Sequence, residues 1–82
     1  MKRFSSRFEY STSKLSNNSE GWDALELSRS AGETTERVAR LTFWDAEGQF
    51  QMEMYGPGLP LVIVEEFIAE AKTLVSPPRK RG

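Results

Sequence analysis

The sequence predicts an α+β domain: a four-stranded antiparallel sheet followed by one C-terminal helix packed on one face, in the order β-β-β-β-α. Three observations indicate it. Several segments alternate apolar and polar residues, as half-buried strands do. Two of these segments flank the turn residues 45–48, and an apolar stripe with helical spacing follows Pro60. We expect a single β4α domain over residues 1–76 and a disordered basic tail over residues 77–82.

The first predicted strand covers residues 3–12, because aromatic and β-branched residues recur there at every second position. Its apolar face carries Phe4, Ser6, Phe8, Tyr10 and Thr12. The segment of residues 22–30 has two interpretations. Leu25 and Leu27 alternate with more polar neighbours, as in a strand, whereas Trp22, Leu25 and Arg29 also fit a helical turn. We favour the strand, since alternation is consistent elsewhere in the chain.

Residues 38–44 and 49–55 predict a β-hairpin whose register can be derived. The apolar sets of both strands must lie on one side of the sheet, which requires a specific pairing. That pairing sets Phe43 opposite Phe50, Leu41 opposite Met52, Ala39 opposite Met54, and Arg40 opposite Glu53. It leaves a loop that starts with Asp45 and ends with Gly48, residue types that suit a type I turn and a positive φ.

The segment "PLVIVEEFIAEAKTLV" predicts a helix that begins with Pro60 at its first position and runs to about Val75. Its apolar stripe is wide enough to cover the apolar face of the hairpin. We therefore expect Phe43, Phe50, Met52 and Met54 to lie beneath it. Glu66 and Glu70 fall on the polar side, where a solvated helix surface is the favoured interpretation.

The composition excludes most catalytic chemistry. The chain has no cysteine and no histidine, so thiol nucleophiles, thiolate metal sites and histidine bases are absent from its 82 residues. We expect a non-enzymatic protein without a cofactor. No apolar run approaches the ~18 residues of a membrane span. We expect a cytoplasmic location, without membrane association.

Charge is unevenly distributed along the chain. Residues 15–76 carry four basic and eleven acidic side chains, a net charge of −7, while residues 1–14 and 77–82 each carry +3. An acidic body disfavours nucleic acid, and the basic ends favour it. The candidate phosphate contacts are Lys2, Arg3, Arg7, Arg79, Lys80 and Arg81.

The hairpin register leaves a second sheet face that the chain has nothing to cover. The candidate interaction face consists of Val38, Arg40, Thr42, Trp44 and Tyr55. Trp, Tyr and Arg are favoured anchors of protein interfaces, so a homodimer or a protein partner is the favoured interpretation. The alternatives are association through the wide apolar side of the helix, stacking of single-stranded nucleic acid, and a solvated sheet face with scattered apolar residues. We assign Asp45 and Glu47 to turn formation and solvation rather than to a cation site.

Over about residues 39–75 the layout resembles the fold of the single-stranded-DNA-binding transcriptional coactivators. The resemblance covers a Gly-containing hairpin, the entry "GPGLP" and a closing helix. It implies four antiparallel strands, dimerisation and DNA binding. That family contacts DNA with strand Lys and Arg side chains, whereas the strands here offer Arg29, Arg37 and Arg40 among many acids.

Overall fold

The computed structural model describes residues 1–5, 7–56 and 58–74. Its elements are β1 (Lys2–Ser5), β2 (Phe8–Asn17), β3 (Trp22–Ala31), β4 (Thr34–Trp44), β5 (Gln49–Met54) and α1 (Leu61–Leu74). The strands form one antiparallel sheet in which each strand pairs with its neighbours in sequence. The predicted α+β class, antiparallel sheet and C-terminal helix are confirmed, but the sheet has five strands, not four. The predicted tail lies outside the described residues.

The fifth strand arises because the first predicted strand is a hairpin. The chain reverses between Ser5 and Phe8, which lie opposite each other, and Arg7 adopts a positive φ of 75°. Across this reversal, apolar and polar residues still alternate along the sequence. Residues of the same parity before and after it nevertheless lie on different faces of the sheet. Phe4 therefore lies opposite Glu9 and is 73% exposed, whereas Tyr10 is buried.

Residues 22–31 form a strand, so the helical interpretation of this segment is wrong. β3 lies at the centre of the sheet, between β2 and β4. Leu25 and Leu27 are both buried and face the same side as Leu41 and Ala39, their partners on β4. The segment therefore forms a strand despite its weaker helical spacing, because both neighbouring strands pair with it.

The predicted register of the hairpin formed by β4 and β5 is confirmed for the six pairs that join Ala39–Trp44 to Gln49–Met54. Phe43 pairs with Phe50, Leu41 with Met52, Ala39 with Met54, Thr42 with Gln51, Arg40 with Glu53, and Trp44 with Gln49. The turn also follows the prediction. Gly48 has a φ of 67°, and the N–H groups of Glu47 and Gly48 donate to the carbonyl oxygen of Trp44 at 3.1 and 2.8 Å.

A β-bulge in β4 changes the position of Val38. Leu27 pairs with Ala39 and Ser28 pairs with Arg37, so Val38 has no residue opposite it on β3. The extra residue places neighbouring side chains on the same side of the sheet. Val38 is consequently only 1% exposed and belongs to the core. Its assignment to the uncovered face is corrected here.

The helix α1 packs on β2 and β3 through one apolar stripe. Ile63, Phe67 and Ala71 are fully buried at the helical spacing of four residues. The hydrophobic core unites them with Tyr10, Leu25, Leu27, Val38, Ala39, Leu41 and Phe43. The helix begins at Leu61, one residue after the predicted start at Pro60, and Val75 lies outside the described residues.

The predicted position of the helix over the β4–β5 hairpin is only partly correct. Phe43 is buried and Phe50 packs against the core, but Met52 is 38% exposed and Met54 is 49% exposed. A helix is narrower than a five-stranded sheet, and α1 lies over the opposite half. The methionines of β5 are therefore left at an open margin of the sheet.

Polar contacts explain why α1 lies over β2. Glu66 forms an ion pair with Arg3 on β1, and one carboxylate oxygen of Glu70 accepts from the Met1 amino group at 3.0 Å. The same oxygen accepts from the Thr12 hydroxyl at 2.9 Å. The expectation that both glutamates face solvent is wrong. Within the described residues, α1 is too short and too polar to cross a membrane, and no other helix is present.

Candidate interaction surface

The surface of the sheet opposite α1, called the open face below, is formed by every second residue of each strand. Pairing fixes its members, because cross-strand partners point to the same side. On β3 it comprises Trp22, Ala24, Glu26 and Ser28. On β4 it comprises Arg37, Arg40, Thr42 and Trp44, and on β5 it comprises Gln49, Gln51 and Glu53. Within the described residues, the helix that covers the sheet lies on the other side.

Two tryptophans and one arginine form the centre of the open face. Trp22 and Trp44 are cross-strand partners whose ring centroids lie 6.3 Å apart, with the planes inclined at 56°. The Arg40 guanidinium carbon lies 4.8 Å from the Trp22 ring centroid, within the range of a cation–π contact. The Trp22 ring N–H also donates to Glu20 at 3.1 Å. We call Trp22, Arg40 and Trp44 the tryptophan–arginine cluster.

The cluster changes the partner that sequence analysis assigns to Arg40. Although Arg40 lies opposite Glu53, the two form no ion pair among the described residues. Arg40 instead stacks on Trp22 and donates to the Thr42 hydroxyl at 3.2 Å. Thr42 is buried, although it lies on the face that α1 does not cover. The face thus has an ordered centre.

The remaining predicted residue, Tyr55, lies at the margin of the open face. Its ring is 44% exposed, and the Arg37 guanidinium carbon lies 5.9 Å from the ring centroid. The Tyr55 hydroxyl donates to Glu53 at 3.3 Å, while Arg37 forms an ion pair with Glu26 at 3.4 Å. Partial desolvation first, and the Glu53 carboxylate second, raise the pKa of Tyr55 above its usual value.

We expect Tyr55 to ionise at a higher pH than an unstructured tyrosine, with a pKa that falls in Glu53→Gln. The neutral amide removes the negative charge that disfavours the phenolate, while partial desolvation still keeps the pKa raised. Because the folded-state pKa is raised, the associated stability is complete below ~10 and is lost as pH rises through the folded value. NMR titration of the Tyr55 ring measures both values; an unchanged pKa in Glu53→Gln contradicts the assignment.

The candidate phosphate contacts do not form one cluster in the described residues. Arg3 pairs with Glu66 on the helix side, and Lys2 pairs with Glu9 at 3.4 Å. Arg7 is exposed at the turn between β1 and β2. Arg79, Lys80 and Arg81 lie outside the described residues.

The residues at the tip of the β4–β5 hairpin form the hydrogen bonds of a turn. The backbone N–H of Asp45 donates to the carbonyl of Gly21 at 2.9 Å, and the Glu47 carboxylate accepts from Gln51 at 3.2 Å. Within residues 1–5, 7–56 and 58–74, no three His, Cys, Asp or Glu side chains converge as metal ligands, and no surface pocket is present. The tip therefore offers no arrangement that would hold a ligand.

Trp22 is the member of the cluster that sequence analysis missed. Its side follows from the alternation of β3, whereas its pairing with Trp44 depends on the register between β3 and β4, which the letters do not give. One signal was present: Trp22 has the same parity as Ala24 and Glu26, opposite to Leu25 and Leu27. Once β3 is taken as a strand, that parity predicts Trp22 on the side away from the core.

Comparison with known proteins identifies no relative. No family model matches the chain, no curated protein matches it, and no solved structure matches it. The resemblance to the transcriptional coactivator fold thus remains one of layout, and the fifth strand departs from it. Function must be argued from the chemistry of the surface itself.

Proposed function

We propose that this chain is a non-enzymatic protein-interaction domain that self-associates through the open face of its sheet. The observation that carries the proposal is the tryptophan–arginine cluster, ordered by cross-strand contacts on a face that α1 leaves uncovered. Trp, Tyr and Arg supply most of the energy in protein interfaces, where they cluster near the centre of the contact.

The order of the cluster favours binding. Trp22 and Trp44 are held against each other, and Arg40 is held by Trp22 and Thr42, before any partner arrives. Side chains that are already restrained lose little conformational entropy when they are buried in an interface. Leu15 on β2 lies opposite Ala24 and extends the apolar surface beside the cluster.

The charges of the open face favour a second copy of the chain as the partner. Arg37 and Arg40 lie among Glu26 and Glu53, so both signs are interspersed. A two-fold interface brings the same surface of both copies together, and a mixed-sign surface can match itself by offset pairing. A surface of one sign would repel its copy.

Two other interpretations receive less support from the structure. Association through the apolar stripe of α1 is one of them, but this stripe already packs in the core, since Ile63, Phe67 and Ala71 are fully buried. Single-stranded nucleic acid would require a mainly positive surface with free aromatic rings. Here Arg40 already occupies one face of the Trp22 ring, and acidic side chains surround the cluster.

The test is Trp44→Ala, for which we expect the dissociation constant of open-face association to rise at least tenfold. The chain contains two tryptophans, both in the cluster, so their fluorescence reports this face alone. In the parent chain, dilution should shift emission to longer wavelength as the rings become hydrated. Sedimentation velocity over the same concentrations measures the mass. Val62→Ala, on an exposed part of α1, is the matched control and should change neither quantity.

Several outcomes would overturn this proposal. A single-chain mass at several hundred micromolar, with emission independent of concentration, excludes self-association. A mass that depends on concentration while emission stays constant excludes the open face as the contact. Salt-dependent binding of a labelled single-stranded oligonucleotide, lost in Trp44→Ala, would assign the face to nucleic acid instead.

A further inference from the structure

We infer that the free edge of β5 pairs with β5 of a second copy, in the antiparallel register that places Met52 opposite Met52. This contact is distinct from the open face and rests on different observations. They are the backbone groups of β5 that no strand among the described residues pairs, the difference between the two edges of the sheet, and the fit of the strand to itself.

The outward backbone groups of β5 can be identified from its pairing with β4. The N–H of Tyr55 donates to the carbonyl of Val38 at 3.0 Å, so Tyr55 directs its backbone groups toward β4. Direction alternates along a strand in an antiparallel pair. Gln51 and Glu53 therefore bond to β4, while Phe50, Met52 and Met54 direct their N–H and C=O groups away from the sheet.

The two edges of the sheet differ in protection. Sheet edges are commonly protected by shortness, by charged side chains and above all by Lys, by proline or by bulges. β1 has four residues, of which two, Lys2 and Arg3, are charged. β5 has six residues, of which one, Glu53, is charged; it contains no Lys, Arg or Pro, and its register with β4 is continuous. β5 is thus the edge that is competent to pair.

The self-pairing register follows from matching the free groups. When Met52 lies opposite Met52, Phe50 lies opposite Met54 of the second copy. Each opposed pair can then exchange two backbone hydrogen bonds, and every outward group of these residues is used. A shift that sets Gln51 opposite itself pairs Met54 with the turn residue Gly48 and loses this match.

Side chains agree with the same register. Met52 and Met54 are partly exposed on the helix side, where they would contact Met52 and Phe50 of the second copy. On the open face, Glu53 would lie opposite Gln51 of the second copy. The alternative with Glu53 opposite itself sets like charges against each other, which is destabilising.

Edge pairing also determines the geometry of the assembly. Its two-fold axis is perpendicular to the sheet, so both open faces point the same way on one ten-stranded sheet. Two such pairs can stack open face to open face, which closes the assembly as a tetramer. If only the edge contact forms, the assembly is a dimer.

Cross-linking tests the register. The chain has no cysteine, so Met52→Cys introduces a single thiol at the two-fold axis. With a short bifunctional thiol reagent at 100 µM protein, we expect at least tenfold more covalent dimer than for Leu61→Cys, which is exposed on α1. More dimer from Gln51→Cys than from Met52→Cys would overturn the register. Equal yields from Met52→Cys and Leu61→Cys would overturn the edge contact.

Charge complementation tests the contact without a reagent. Met52→Lys and Met52→Glu should each halve the assembled mass in sedimentation velocity, and an equimolar mixture should recover it. Circular dichroism verifies that both variants are folded. Parent-like mass for Met52→Lys alone, or no recovery on mixing, would overturn the inference.

The two proposed contacts can be tested, and refuted, independently of each other. Trp44→Ala should abolish the fluorescence change but leave Met52→Cys cross-linking intact. Met52→Lys should halve the assembled mass but leave the fluorescence change intact. Loss of cross-linking with retained fluorescence change refutes the edge contact alone, and the opposite result refutes the open-face contact alone.

Discussion

Phe67→Ala is expected to leave about half of the molecules unfolded at 25 °C in the absence of denaturant. Phe67 is fully buried at the middle of the α1 stripe, between Ile63 and Ala71. Truncation of a buried phenylalanine costs about 3–5 kcal/mol. A core in a domain of this size supplies roughly 3–5 kcal/mol of net stability. The loss thus equals the whole reserve.

Urea denaturation at low micromolar concentration measures the effect. Circular dichroism follows α1, while tryptophan emission follows the open face on the other side of the sheet, and both should report the same loss. Leu61→Ala is the matched control on the same helix, because its side chain is 70% exposed and its removal should change stability by less than about 0.5 kcal/mol. Folded Phe67→Ala with parent-like stability would contradict the position of the helix.

Val38→Asp is expected to unfold the domain at neutral pH, although sequence alternation alone assigns Val38 to the uncovered face. The bulge in β4 places the side chain in the core, where a carboxylate would be buried without a partner. Burial of an unpaired charge costs several kcal/mol. The penalty should shrink as pH falls toward ~4 and be smallest below that value, because the buried carboxyl group takes up a proton at a higher pH than the hydrated carboxyl group of the unfolded chain.

Gln51→Asp, measured at a protein concentration low enough to keep the chain unassembled, is the control for Val38→Asp, since Gln51 is exposed on β5 of the single chain and the same charge there remains hydrated. Thermal denaturation at pH 7 and pH 3.5 separates the cases. If Val38→Asp is as stable as Gln51→Asp at pH 7, the bulge is misplaced and Val38 belongs to the open face.

The proposed assembly would raise the free energy of unfolding of the domain, whose marginal core makes both substitutions severe. Small domains without disulfides or metals often gain stability by association. The open face offers aromatic anchors and mixed charge, and the β5 edge offers backbone groups that no strand among the described residues pairs. These are different sources of binding energy, so the two contacts can be removed one at a time.

Sequence patterns predicted the local features of this fold well. The register of the β4–β5 hairpin is confirmed for the pairs from Phe43–Phe50 to Ala39–Met54. The helix also begins within one residue of its predicted start at Pro60. Both depend on neighbouring residues: hydrophobic alternation and turn chemistry select one hairpin register, and proline followed by an apolar stripe selects one helix start.

The candidate surface was predicted in part. Arg40, Thr42 and Trp44 lie on the open face, and Tyr55 lies at its margin. Trp22 was missed, because its neighbours on the face come from another strand. The stacking of Arg40 on Trp22 rather than pairing with Glu53 was also unforeseen, since the letters do not reveal which of several adjacent groups a long side chain selects.

By itself, the sequence determined an α+β domain with an antiparallel sheet, its hairpin register and one C-terminal helix, because these follow from contacts between residues close in the chain. Only the tertiary structure decided that Val38 enters the core, that α1 lies over β2 and β3, and that Met52 and Met54 stay exposed. Those outcomes depend on a bulge between two strands and on contacts between α1 and the first strands. Both are set by packing between distant segments, which no local pattern records.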